Sequence, residues 1–294
     1  VGKQTGIVCH GLTLAMRTRI IVGSLLTLLA AGVFYGDHVL GWPYPFLLAV
    51  SAIFGAIAAH ELVSLIPPQR RPNWALAMAG TLSLLLLNWI AVHINVSHWP
   101  LIVGGLTAVM VLAFFWEMHI FQVPGESLNR VALTVLCAAY LGLLAGYFVN
   151  LRVQQQSPID GTLAMILAIF VPKGCDIGAY FTGSFIGKHK MTPHLSPKKT
   201  WEGAAGGLLT AMAVALIVYA YQPIIPGGWM GAAAFGLVVG AMGMLGDLAE
   251  SLIKRDCGSK DAANLIPGFG GVLDVIDAVL FAAPVVYVWL NYGR

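Results

Sequence analysis

A chain of 294 residues with 58% hydrophobic and only 10% charged residues lies far from the quarter or so of charged residues in a soluble domain. With a mean hydropathy of +0.81, it reads as a multi-pass membrane protein and excludes both a soluble enzyme and a nucleic-acid-binding module. The formal charge of +3 gains meaning only once the charges are placed. Cys9, Cys137, Cys175 and Cys257 lack metal or redox spacing and read as small packing residues.

A bilayer core of about 30 Å takes roughly 20 mainly apolar residues per helix. Nine runs qualify: 20–40, 45–66, 74–95, 99–116, 130–150, 160–184, 204–222, 229–250 and 272–292. The first is too long and too deep in the chain for an ordinary secretory signal and is expected as a retained helix. The sixth is interrupted by Pro172, Lys173, Gly174 and Asp176 and is expected to be broken, its polar backbone covered by protein or a wet cavity. Residues 1–150 would hold helices 1 to 5 as the packing and lipid-facing part. Residues 151–294 would hold the catalytic helices 6 to 9 with their loops, all in one integrated membrane domain.

Basic residues set the orientation. With a cytoplasmic N-terminus, thirteen Lys and Arg residues fall inside, only Arg152 and Arg294 fall outside, and Lys173 lies within a helix. The connections on the outer side carry almost no charge, so any chemistry is expected at the cytoplasmic face.

Eight of the thirteen acidic residues lie at or after Asp176, several in membrane-length runs, where an ionisable group faces a partner, a cavity or a pathway. In the eighth run, Asp247, Ser251 and Lys254 follow i, i+4, i+7 spacing and share a face. Glu250 lies on a neighbouring stripe and reads either as part of the site or as an i,i+4 partner of Lys254. Asp274 and Asp277 open the ninth run at i, i+3; they suit a helix N-terminus or a divalent cation. Lys254, Arg255 and Lys260, with glycine N–H groups of the intervening loop, suit phosphate. Read alone, those cations could equally mark the cytoplasmic side or meet anionic headgroups.

A second cluster runs from Gly174 to Gly203. It holds Asp176, Lys198 and Lys199, with Thr200 as a helix N-cap and Glu202 close behind. His189 and His194 read as solvated rather than as zinc ligands. Carboxylates, cations and glycine turns at a membrane surface suit Mg²⁺-assisted phosphoryl or nucleotidyl transfer. No P-loop or dinucleotide-binding fingerprint is present. The residues alone thus indicate a membrane enzyme acting on phosphates, with its substrate open.

The C-terminal pattern resembles that of the phosphatidate cytidylyltransferase family: S-x-x-K-R-x4-K-D, then P-G-H-G-G, then D-R-x-D. Ser251, Lys254, Arg255, Lys260, Asp261, Pro267, Gly268, Gly270, Gly271, Asp274 and Asp277 match at that spacing. The family's D-x-x-A-Y and S-P-K-K-T-x-E-G elements are similar to Asp176–Tyr180 and Ser196–Gly203. Phe269 and Val275 stand where the family has histidine and arginine. With every metal-type carboxylate retained, an active variant is expected. Glu61 and Glu117 are the compatible features of the first half.

The resemblance implies transfer of CMP from CTP to phosphatidate, giving CDP-diacylglycerol and pyrophosphate. It implies an all-α polytopic fold and Mg²⁺ at Asp247, Asp274 and Asp277, with Asp176 contributing and a second cation left open. Lys198, Lys199, Lys254, Arg255 and Lys260 would hold the phosphates, helped by Gly270 and Gly271, while Glu202 and Asp261 orient the cations. Ser251 belongs to the same catalytic set. The implied setting is a bacterial inner membrane, with CTP, phosphatidate and membrane lipid as partners, no nucleic acid, and a homodimer as the oligomer to test. The competing readings are a CTP-dependent kinase of a polyprenol-type alcohol, a transporter with charges in broken helices, and a non-catalytic scaffold.

Overall fold

The computed structural model describes residues 21–25, 27–37, 39–40, 44–94, 98–153, 158–259, 262–263, 266 and 270–292. Backbone groups facing lipid have no water to bond, so apolar runs of this length must satisfy themselves as helices. The helices are α1 (Ile21–Asp37), α2 (Pro45–Leu65), α3 (Trp74–His93), α4 (His98–Ile120) and α5 (Ser127–Cys137). A π-helical segment (Ala138–Leu143) joins α5 to α6 (Leu144–Val153). After α7 (Pro158–Ile186) come a short hairpin, β1 (Lys190–Thr192) and β2 (Ser196–Thr200), then α8 (Trp201–Tyr221), α9 (Gly228–Asp256) and α10 (Leu273–Tyr292). Among the described residues, eight helical stretches are long and apolar enough to cross a membrane, α5 to α6 counting as one. The chain is an all-α polytopic membrane protein, as expected. The run expected at 20–40 is described as the shorter helix Ile21–Asp37, and residues 1–20, with Lys3, Arg17 and Arg19, lie outside the described residues.

The sixth run is not broken. Helix α7 is continuous for 29 residues with Pro172 inside it. A proline removes one intrahelical hydrogen bond, but neighbouring helices make that tolerable within a bundle. Here the Pro172 ring sits against α9 at Gly243, where there is no side chain to meet it. At about 1.5 Å per residue, a helix of this length is roughly 44 Å long and outreaches the hydrocarbon layer at its ends.

Two buried apolar clusters share α10. One joins α7, α8, α9 and α10 through Val171, Cys175, Ala211, Phe235, Val239 and Ala283. The other joins α2, the π segment and α10 through Ala58, Leu62, Leu141, Leu273 and Leu280. Small residues set how closely the helices approach. A Cβ on Gly246 would lie 2.5 Å from the Asp277 carbonyl oxygen and 3.1 Å from Ala278 Cα, and backbone cannot swing aside. Gly246→Val should therefore force α9 and α10 apart and destabilise the protein by about 1–3 kcal/mol. Thermal unfolding in detergent checks this; a variant as stable as the parent would contradict the packing.

Candidate functional site

Alternating chain direction brings the C-terminal halves of α7 and α9 beside the starts of α8 and α10. Asp247 lies roughly 14 Å short of the α9 terminus at about 1.5 Å per residue, so the site is recessed below the helix ends. Asp247, Glu250 and Asp277 each offer a carboxylate oxygen there, all within 4.8 Å of one another. Glu250 is 1% exposed and Asp277 4%. Among the described residues this is the one group of three or more acidic, His or Cys side chains so arranged.

Three lysines from three elements surround these charges. Lys199 of β2 places Nζ 2.6 Å from Asp247 Oδ2. Lys173 of α7 lies 3.7 Å from Asp176 Oδ2 and 3.6 Å from Asp277 Oδ1. Lys254 of α9 donates to Glu250 Oε2 at 2.8 Å and to Asp274 Oδ1 at 2.6 Å. A buried carboxylate without such a partner costs several kcal/mol, so the lysines are what make the cluster tolerable. Glu250 nonetheless keeps one oxygen, Oε1, buried and without a hydrogen-bond partner.

The glycine turn before α10 does something other than expected. Gly271 N–H donates to Asp274 Oδ2 at 2.6 Å, and Gly270 N–H donates to the Ile266 carbonyl at 2.9 Å. The next two N–H groups, of Val272 and Leu273, donate to Glu61 at 2.9 and 2.8 Å. The orphan donors of a helix N-terminus are thus taken by carboxylates from α10 itself and from α2. Gly270 holds φ at +102°, a conformation that favours glycine, and a Cβ on Gly271 would come 2.6 Å from Glu61 Oε2 and displace that carboxylate from the cap. In this arrangement the Gly271 N–H is spent on the cap and the Gly270 N–H on the Ile266 bridge, so neither is turned towards a phosphate.

The other expected site residues divide by local geometry. Asp247 and Asp277 fall in the carboxylate cluster, with Asp176 at its edge across Lys173. Asp274 does not join them; it is committed to Lys254 and the α10 cap, and Glu250 occupies the third place. Strand alternation sends consecutive side chains to opposite faces. Lys199 therefore points at Asp247 while Lys198 is exposed. Glu202 does not orient these lysines: it accepts the N–H groups of Lys188 and His189 and pairs with His189 Nδ1 at 2.6 Å, pinning the hairpin base. Thr200 caps α8 as expected, accepting Gly203 N–H at 3.1 Å. Exposed Arg255 donates to the carbonyls of Leu195 and Ser259 at 3.4 and 3.2 Å, tying the α9 end to the hairpin. Ser251 is half-buried one turn beyond Asp247, and Val275 is half-buried in the first turn of α10. Lys260, Asp261 and Phe269 lie outside the described residues.

Sequence reasoning did not assign Lys173 or Glu61 to the site. Lys173 carried a signal, a cation three residues before Asp176 in an apolar run. Glu61 carried only that of a lone acid in α2; its partners lie more than two hundred residues away. Glu117, the other compatible acid, forms a forked pair with Arg130 at 2.7–3.0 Å and ties α4 to α5.

The model of the Cytidylyltransferase family matches residues 17–292. The chain is 31% identical over 280 residues to the phosphatidate cytidylyltransferase of Bacillus subtilis, covering 94% of this chain and 97% of that protein. It is 29% identical over 259 residues to the protein of the same name from Mycobacterium tuberculosis strain H37Rv, covering 83% of this chain and 74% of that one. A 129-residue stretch is 42% identical to the phosphatidate cytidylyltransferase of Brucella suis, covering 44% of this chain and 47% of the relative. The chain belongs to the cytidylyltransferase family, and the resemblance read from its motifs is borne out.

Lys254 is shared by two carboxylates, so removing it leaves Glu250 buried without its ammonium and Asp274 with only the Gly271 N–H. Lys254→Met is expected to destabilise the protein by about 3–5 kcal/mol, read as a lowered midpoint of thermal unfolding in detergent. Unchanged stability would mean that the two acids find another partner.

Proposed function

We propose that this chain transfers the cytidylyl group of CTP to phosphatidate, forming CDP-diacylglycerol and pyrophosphate. The observation that carries this reading is the recessed cluster of Asp247, Glu250 and Asp277, ringed by Lys173, Lys199 and Lys254, in a member of the cytidylyltransferase family. Relatives that match most of the chain bear the name phosphatidate cytidylyltransferase.

The donor set fits Mg²⁺. It is all oxygen, as a hard cation prefers, and the unpartnered Glu250 Oε1 has the buried, unsatisfied character of a ligand atom. Asp247, Glu250 and Asp277 would hold the ion, with Asp176 at the margin. Bound there, it would supply charge neutralisation and polarisation of a phosphoryl oxygen.

The lysines supply the rest. Lys173 remains 35% exposed, and its ammonium has three donors, so it can pair with a phosphate oxygen while still facing its carboxylates; Lys199 Nζ is buried against Asp247 and contributes its charge from there. The phosphatidate phosphate is anionic at neutral pH and needs no strong general base. Its oxygen attacks the α-phosphorus of CTP; the new P–O bond forms as the bond to the β-phosphate oxygen breaks, and pyrophosphate leaves with that electron pair. Lysine charge steadies both the attacking and the departing phosphates. In this reading the recess takes the polar edge of the bilayer, so that a lipid headgroup enters from the side and a nucleotide from water. By the bias of basic residues, that face is the cytoplasmic one, and the bacterial relatives suit an inner membrane.

Purified protein given phosphatidate, Mg²⁺ and CTP labelled in the α-phosphate should move label into chloroform-soluble lipid, whereas γ-label should appear as pyrophosphate. Label from the γ-position in lipid would instead identify a kinase. Asp277→Asn and Glu250→Gln should each lower turnover on the order of a hundredfold, while Asp274→Asn should act more on stability. Full turnover in the first two would remove the metal assignment.

A further inference from the structure

Tyr140 is a buried polar residue that the mechanism above leaves unused. It lies in the π-helical segment Ala138–Leu143, within the span Ser127–Val153. π-helical turns are rare and concentrate at functional sites. The residue is 6% exposed, and its ring meets Phe281 edge-on at 6.2 Å between centroids. Phe281 lies one turn beyond Asp277 on α10, so the ring packs directly below the carboxylate cluster.

The hydroxyl is the anomaly. It is buried and has no hydrogen-bond partner, an arrangement that is destabilising unless a partner meets it. Phenylalanine would fill the same space without that penalty, so packing alone does not account for a tyrosine. Through Phe281 the ring adjoins the turn of α10 that carries Asp277, whose carboxylate lies within 4.8 Å of those of Glu250 and Asp247. Glu250 Oε1 is likewise a buried acceptor without a donor, and its two lone pairs allow one to face a cation and the other a donor. An orphan donor and an orphan acceptor beside one polar cluster have the character of a pair bridged by buried water.

We infer that Tyr140 is a positioning residue of the carboxylate site, its hydroxyl donating through one water molecule to Glu250 and so fixing that carboxylate for the cation. This role rests on the reading that the cluster holds a divalent ion. Groups that orient metal ligands typically govern 10–100-fold in affinity.

Mn²⁺ binding to the full chain in detergent, followed by electron paramagnetic resonance, tests the role without recourse to turnover. Tyr140→Phe should weaken Mn²⁺ binding about tenfold or more while thermal stability holds or rises. Phe281→Leu, which disturbs the same packing but keeps the hydroxyl, should lower stability and leave Mn²⁺ affinity unchanged. Equal affinity in Tyr140→Phe and the parent overturns the role, as does an equal loss in Phe281→Leu. If the parent itself binds no Mn²⁺, the metal reading fails and this role falls with it, an outcome distinct from the other two.

Discussion

Placing carboxylates inside an apolar bundle is the constraint from which most of this structure follows. Each buried acid costs several kcal/mol unless a cation or a set of donors meets it. Lys254 answers Glu250 and Asp274, Lys173 answers Asp176 and Asp277, and Lys199 answers Asp247. Glu61 is answered by backbone N–H groups at the start of α10. These acids and their partners come from α2, α7, β2, α9 and α10, so satisfying the acids also fixes how those elements sit together. The hairpin is part of the same solution, because it delivers Lys199 and is itself held by Glu202 and Arg255.

The apolar runs made the helices legible, since a membrane-length run has no alternative to helix. Helical spacing likewise placed Asp247 and Lys254 together in one half of α9. The misread points were those decided by contacts across the chain. Pro172 suggested a break because its accommodation by Gly243, on another helix, leaves no local trace. Asp274 and Asp277 looked like a pair, yet Asp274 sits close enough to the turn to cap it, and only Asp277 is deep enough to meet Asp247 and Glu250. Lys198 and Lys199 looked interchangeable until the strand put them on opposite faces.

The same geometry reconciles a charged site with a membrane setting. At 29 residues each, α7 and α9 exceed the roughly 20 residues that span a bilayer core, and the cluster lies between them, short of the α9 end. A charged headgroup can approach such a recess without crossing the bilayer centre, where an unpaired charge is most costly. Partial exclusion of water strengthens each pairing of lysine with carboxylate there. The glycine turn, bridged at Ile266 and followed by N–H groups spent on Asp274 and Glu61, serves this site by holding the first turn of α10 in place.

Anomalous diffraction from crystals grown with Mn²⁺ tests the central claim most directly. The account predicts a single strong peak bounded by Asp247, Glu250 and Asp277, with Asp274 still turned to Lys254. A peak bounded by Asp274, or none near the carboxylates in crystals of protein that binds Mn²⁺ in solution, would contradict it.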